Sequence, residues 1–512
     1  MEKFLEFINI PSITGSPSEK EGGFFLEKEL RNMDYFKVNS ENIKKTKVLS
    51  DGLDTYVISG LYKGKTNKTI ILMGHYDVVD ISNYGKYKKH AFYPNKLKKD
   101  FLKDNTLGED AKKDLESNNW IWGRGTADMK MGLYTMLKVL RKCIEDKVSY
   151  SILYLAVPSE ESTSAGMRCA GSIIKELLYK GYSFIGTLLS EPCLQNKNEL
   201  VKKIHIGSCG KCMPIIMACG KSAHIFESSK GHNSNTMLSF IQREIEESGL
   251  FFEEIRGKKI NTITQLFWEQ IREGYSVTVP EKSYSYYNLI FLNKAYKEIN
   301  ENIKKCVYKA KEKYEKFKGI NLNIYSFLEL EENLKESSVI KKVEILNDLK
   351  NSQRSLQEKS IEYFEWIIDE SDILKPCFIY GFMPPYYPAT HCNKNNTKKI
   401  ENIVKDINKE FLVDLKIEHY FMGISDLSFI GGSFNDNKMF LDNLIGGENL
   451  YSFDNKTVTN LEMPSLVLGV LGKDIHQKTE RVEIDYNINK LPKIYRLFMD
   501  KLYKENIEKD KK

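Results

Sequence analysis

A chain of 512 residues is too long for one hydrophobic core, so two or three domains are expected. At 41% hydrophobic, 29% charged and 12% aromatic, the composition excludes wholesale disorder. Basic and acidic residues number 76 and 70 for a net charge of +6, and lysine is dispersed among Glu, Asn and Ile, which argues against nucleic-acid partners.

No stretch approaches the roughly 20 uninterrupted apolar residues of a membrane span. The first 18 residues carry Glu2, Lys3 and Glu6 and lack a basic head, an apolar core and a cleavage site, so no membrane partner and a cytoplasmic location are expected. Nine scattered cysteines then read as reduced thiols. The Cys209-Gly210-Lys211-Cys212 pair has no second pair at finger spacing, and two strand thiols are expected there in place of a zinc or redox site.

In chain order, short apolar runs at 69–73, 151–157 and 184–189 alternate with amphipathic helical stretches at 129–144 and 164–178. This alternation predicts an α/β unit, a largely parallel sheet with helices on its faces. Residues 82–119 interrupt the rhythm with lysines, prolines and little periodicity, and read as a long surface excursion. The middle changes texture: an apolar run at 213–218, a helix at 235–247, an aromatic run at 284–291, and long charged helices at 294–316 and 337–370. Those helices are polar over most of their circumference, as expected for an exposed domain more than for cover on a sheet. Alternation resumes with a helix at 398–411, strands at 413–421 and 464–470, and a closing helix at 488–504. The first domain is therefore expected in two parts, 1–206 and 390–512, with 207–389 inserted.

Chemistry-bearing residues collect at predicted strand ends, where open α/β sheets bind ligands. His75 and Asp77 end the first clear strand in Gly74-His75-Tyr76-Asp77, and a carboxylate two residues on can steady an imidazole that binds metal. Asp128 precedes a helix within Gly123-Arg124-Gly125-Thr126-Ala127-Asp128, Glu160 and Glu161 follow 151–157, Glu191 follows 184–189, and His476 follows 464–470. Each has an ordinary reading alone: a buried imidazole, an N-cap, a solvated charge pair. Together, two imidazoles and several carboxylates suit zinc, cobalt or manganese, and they exceed the needs of one tetrahedral ion.

These motifs, with Gly74-His75-Tyr76-Asp77-Val78-Val79, Asp128-Met129-Lys130, Ser159-Glu160-Glu161 with Ser164 and Gly166, and His476 followed by Glu480-Arg481-Val482, run in order over nearly the whole chain. The sequence resembles the di-zinc aminoacylase and carboxypeptidase family, metallopeptidase family 20. Pro384-Pro385-Tyr386-Tyr387-Pro388, Gly423-Ile424-Ser425-Asp426-Leu427-Ser428 and the long segment between His75 and Asp128 resemble its RocB-type arginine-utilisation branch.

The resemblance implies a zinc-aminopeptidase-like α/β/α catalytic domain with an inserted α+β lid and dimerisation domain. It implies two divalent ions, most readily zinc, with Asp128 bridging, His75 and Glu191 on one ion, and Glu161 and His476 on the other. Glu160 becomes the general base, Asp77 the partner of His75, and His224 in Gly220-Lys221-Ser222-Ala223-His224 a donor reaching a neighbouring chain's site in a homodimer. Ser159 stands where the family has an acidic residue. The expected activity is hydrolysis of an amide bond in a small peptide or N-acyl amino acid, with a place in arginine or amino-acid catabolism. A non-catalytic binding or assembly module is the alternative, and a di-metal phosphoesterase shares the ligands but lacks the motif order.

Overall fold

The computed structural model describes residues 1–49, 54–192, 202–255, 258–272, 274–432 and 437–510. Its larger sheet has eight strands. Ser151–Val157, Lys68–His75, Ser183–Leu189 and Ser465–Val467 lie parallel at the centre. Tyr56–Tyr62 and Ile43–Lys47 add antiparallel on one side, and on the other Lys202–His205 pairs in parallel with Leu415–Glu418. The sheet is thus mixed where a largely parallel one was expected: Tyr56–Tyr62 runs against the central strands on one side, and on the other Lys202–His205 meets Ser465–Val467 antiparallel.

The central strands are apolar on both faces, as burial between two helical layers requires. Ile70 and Leu72 pack with Leu133, Leu140, Ile400 and Phe498, from the helices Met131–Glu145, Lys394–Phe411 and Leu491–Asp510. Their strand neighbours Ile71 and Met73 pack on Ala165, Ala170 and Ile174 of the helix Ala165–Tyr179. The result is an α/β/α sandwich.

A second sheet, in the order Ile263–Ile271, Lys282–Phe291, Gly210–Cys219, Cys377–Tyr387, Asn323–Ser326, lies within the expected insertion. The helix Tyr296–Lys318 does cover this sheet, against expectation. Ile299, Ile303, Val307, Ala310 and Tyr314 form a stripe at three- and four-residue spacing that packs on Ile216, Ala218 and Leu289. A stripe that narrow leaves most of the circumference polar while still burying one side of the helix. The charged run at 337–370 is two helices, Glu336–Asn351 and Leu356–Glu370. Ser355 and Glu358 form a capping box that restarts the second.

Residues 82–119 are more than an irregular excursion. The helices Pro94–Phe101 and Glu109–Ser117 bury Leu97, Phe101 and Leu115 against Tyr84, Trp120 and Trp122. After the chain returns from the insertion, Asn437–Asp442 and Gly447–Leu450 double back: Phe440, Leu444 and Tyr451 join the core that holds Ile216, Leu289 and Phe382.

Candidate metal centre

His75, Glu160, Glu161 and Glu191 lie at or just beyond the carboxyl ends of three adjacent parallel strands, and Asp128 lies in the turn that leads into Met131–Glu145. His476 comes from the loop between the short antiparallel strands Gly472–Lys473 and Arg481–Glu483. The fold gathers all six around a cavity of about 400 Å³, whose wall includes Asp128, Glu160, Glu161, Glu191 and His476.

The two carboxylate oxygens of Asp128 face different imidazoles. Oδ1 lies 3.1 Å from His75 Nε2 and Oδ2 lies 3.1 Å from His476 Nε2. Glu191 Oε1 stands 3.5 Å from His75 Nε2, and Glu161 Oε1 stands 3.0 Å from His476 Nε2. Three groups of potential ligands result, each with donor atoms within 4.8 Å of one another: His75, Asp128 and Glu191; Asp128, Glu161 and His476; and His75, Glu160 and Glu161. Glu160 Oε2 lies 3.9 Å from His75 Nε2.

The donor set fits divalent cations. Glu191 Oε1 is buried with no hydrogen-bond partner among the described residues, and burial pushes the Glu191 carboxyl up to about 8. Burial together with the charge of Glu191 raises Glu160 well above the carboxylate range. Hydrogen bonds to Asp128 and Glu161 raise His476 to about 10. A cation bound among these crowded, buried carboxylates and imidazoles would displace their protons.

Asp77 does more than steady His75. His75 Nδ1 is 2.9 Å from the Asp77 main-chain carbonyl, so Nδ1 carries the proton and Nε2 is left as the ligand atom. The Asp77 carboxylate, 3.5 Å from Nδ1, accepts the backbone N–H groups of Glu160 and Glu161 at 3.2 Å each and the Thr14 hydroxyl at 2.8 Å. Ser159 donates to Glu19 at 2.9 Å, so a carboxylate from the helix Glu19–Arg31 stands beside the Glu160–Glu161 pair. Behind Asp128, Glu480 accepts the backbone N–H groups of Ala127 at 3.2 Å and Asp128 at 3.4 Å, and it pairs with the buried Arg124 at 2.5 Å.

Three further groups escaped the reading of the sequence as site residues. Among the described residues, Lys211 is the only lysine or arginine on the cavity wall, and its ammonium lies 5.7 Å from the Tyr387 ring centroid. Asp426 is buried, with its carboxyl pushed up to about 7 by burial, and its charge acts on Glu160 and Glu191. Glu19 had no motif around it to signal its part. His224 is not on this wall: it caps a short turn at Ile225–Lys230, is exposed, and stacks on Phe226 at 5.3 Å. Cys209 and Cys212 are buried, neutral thiols, with Cys209 pushed up to about 12 by burial.

An α/β/α sandwich that gathers two imidazoles and four carboxylates at its strand ends, with a second sheet domain beside them, defines a metal-dependent hydrolase. The chain belongs to the peptidase family M20/M25/M40, whose sequence pattern matches residues 71–460, and it is a metal-dependent peptidase or amidohydrolase acting on C–N bonds. It is 26% identical to the "uncharacterized protein YqjN" of Bacillus subtilis (strain 168), over 98% of this chain and 95% of that protein. Protein RocB of the same organism is 23% identical over 95% of this chain and 91% of its own length. The M20 family metallo-carboxypeptidase Sso-CP2 of Sulfolobus solfataricus shares the fold, with a TM-score of 0.56 at 13% identity, covering 98% of each chain. Among the described residues, no helix is long and apolar enough to cross a membrane.

Proposed function

We propose that the protein is a two-metal amide hydrolase acting on a small peptide or N-acyl amino acid with a free carboxylate. The observation that carries this reading is the placement of Asp128, one oxygen toward each imidazole, which gives it the place of a ligand shared between two ions. His75 and Glu191 would hold one ion, Glu161 and His476 the other. Two divalent cations, zinc before cobalt or manganese on this donor set, would polarise the scissile carbonyl and lower the pKa of a water toward about 7.

Glu160 takes a proton from the attacking water and returns it to the leaving nitrogen, since one carboxyl group on the cavity wall can reach both. Asp77 holds Glu160 and Glu161 at that wall through their backbone. Lys211, a cation in an otherwise acidic cavity, receives the substrate carboxylate. A homodimer through the inserted domain would bring His224 to a neighbouring site as an oxyanion donor. The exposed Ile225, Phe226 and Val277 beside it are the kind of apolar rim that a partner covers. A cytoplasmic place in arginine or amino-acid catabolism goes with the RocB resemblance.

The test is metal analysis of the purified protein followed by assay of the loaded enzyme on dipeptides and N-acyl amino acids. Two ions per chain and hydrolysis of at least one class are expected. One ion per chain, or no hydrolysis of either class by protein holding two, would overturn the reading.

A further inference from the structure

His476 sits on a loop with little to hold it in place by itself. Asp474 and His476 both occupy the left-handed region, with φ of 53° and 62°, which is uncommon for non-glycine residues although Asp and His enter it more readily than most. Within the loop, Gln477 N–H donates to the Asp474 carbonyl at 2.9 Å and the Thr479 hydroxyl to the Asp474 carboxylate at 2.7 Å. The Glu480 N–H donates to the Gln477 carbonyl at 3.1 Å and Arg481 Nη1 to the Thr479 carbonyl at 3.0 Å, and further restraints come from elsewhere in the chain.

One restraint grips the His476 backbone. Its carbonyl accepts Asn83 Nδ2 at 2.6 Å and Arg124 Nη2 at 3.2 Å, and the same Nη2 donates to Asn83 Oδ1 at 3.2 Å. The second grips the loop's base. Arg481, fully buried, donates to Asp474 at 2.5 Å, to Asp114 at 2.6 Å and to Asp110 at 2.5 Å. Its guanidinium also lies 4.9 Å from the Trp122 ring centroid. Lys473 reaches the same two aspartates, Asp110 at 2.9 Å and Asp114 at 2.8 Å. Asn83, Asp110 and Asp114 all belong to the 82–119 segment, which otherwise contributes nothing to the cavity wall.

We infer that residues 82–119 form a clasp that aims His476 Nε2 at Asp128 and Glu161, with Asn83 and Arg481 as positioning residues for the ion held there. The inference rests on the two-metal reading. The clasp acts from two sides, so that neither the loop's left-handed turns nor the exposed imidazole has to hold the geometry alone. Its effect falls on one ion and spares the other, because His75 and Glu191 are carried by the sheet itself.

The experiment measures dissociation constants for both ions in the wild type, Asn83→Ala, Asp114→Asn and Arg481→Lys, together with apo-protein melting. Occupancy of the two positions is read by anomalous scattering. Asn83 is exposed, so its truncation leaves folding intact. The expected result for Asn83→Ala is an ion on the His476 side bound about 10-fold more weakly, an unchanged ion on the His75 side and an unchanged melting temperature. Asp114→Asn and Arg481→Lys should shift the same ion. Two ions bound with unchanged constants in all three variants would overturn the clasp and leave the two-metal reading intact. Equal weakening of both ions with a lowered melting temperature would also overturn it, as general structural support. A wild type that binds fewer than two ions would overturn the reading beneath it.

Discussion

Asp77 holds Glu160 by its main chain: Asp77 Oδ1 accepts the Glu160 N–H at 3.2 Å, while its other oxygen takes the N–H of Glu161. A single buried carboxylate therefore sets the direction in which two adjacent side chains leave the strand end. Replacing Asp77 by Asn turns one acceptor into a donor facing an N–H group. Such a mismatch costs about 1–3 kcal/mol. The expected outcome is a fall in kcat of about tenfold or more, with metal content retained, read by steady-state kinetics and elemental analysis on the same sample.

Glu160 and Glu161 are neighbours in sequence with different proposed duties. Glu160→Gln should keep both ions and lose a factor of about 10²–10⁴ in kcat, the usual range for a general base. Glu161→Gln should lose an ion. Turnover by Glu160→Gln within a few-fold of wild type would remove it from proton transfer.

Lys211→Met removes the one lysine or arginine side chain that the described residues contribute to the cavity wall. A lost hydrogen bond to a charged group is worth about 1.5–3 kcal/mol, or roughly 10- to 100-fold. That loss should appear in kcat/KM for substrates with a free carboxylate and be absent for their amides. Equal losses on both would place Lys211 elsewhere in the mechanism.

Subunit exchange tests the part assigned to His224. Glu160→Gln and His224→Ala chains, each inactive alone, should regain activity on mixing, because a mixed dimer contains one site with both intact side chains. Exchange demonstrated by mass spectrometry without recovery of activity would leave His224 as a surface residue of the inserted domain.

Glu480 and Arg124 form a buried pair, with side chains 0% and 1% exposed, beneath the backbone of Asp128. Glu480→Ala strands a guanidinium in the interior, and breaking one side of such a pair costs about 3–5 kcal/mol. Urea unfolding should show that loss, with a smaller one in the Arg124→Met, Glu480→Leu double variant.

The strands that carry the site were legible because each is a continuous apolar run ending in a polar motif: runs at 69–73, 151–157 and 184–189 became Lys68–His75, Ser151–Val157 and Ser183–Leu189. His75, Glu160, Glu161, Glu191 and His476 follow such runs in the sequence, whereas Asp128 stands in a glycine-rich motif before a helix. What the pattern hid were contacts between segments far apart in the chain. Asp77 meets the backbone of residue 160, Glu19 meets Ser159, and Glu480 meets residues 127 and 128, pairings that no periodicity encodes. The small core of the 82–119 segment was hidden for a related reason: its apolar residues come from short helices and a three-residue strand, too brief for a period to show.

The return of residues 437–451 to the inserted domain bears on how the molecule can be dissected. Phe440 stacks 4.5 Å from Tyr386, the Ile445 N–H donates to the Phe382 carbonyl at 2.8 Å, and Asn437 accepts the Tyr386 hydroxyl at 2.7 Å. A fragment cut at 207 and 389 would leave an empty apolar socket where Phe440, Leu444 and Tyr451 had been. It would be sticky and prone to self-association in solution. A soluble, separately expressed piece would have to carry the 437–451 stretch as a graft or receive it as a complementing peptide.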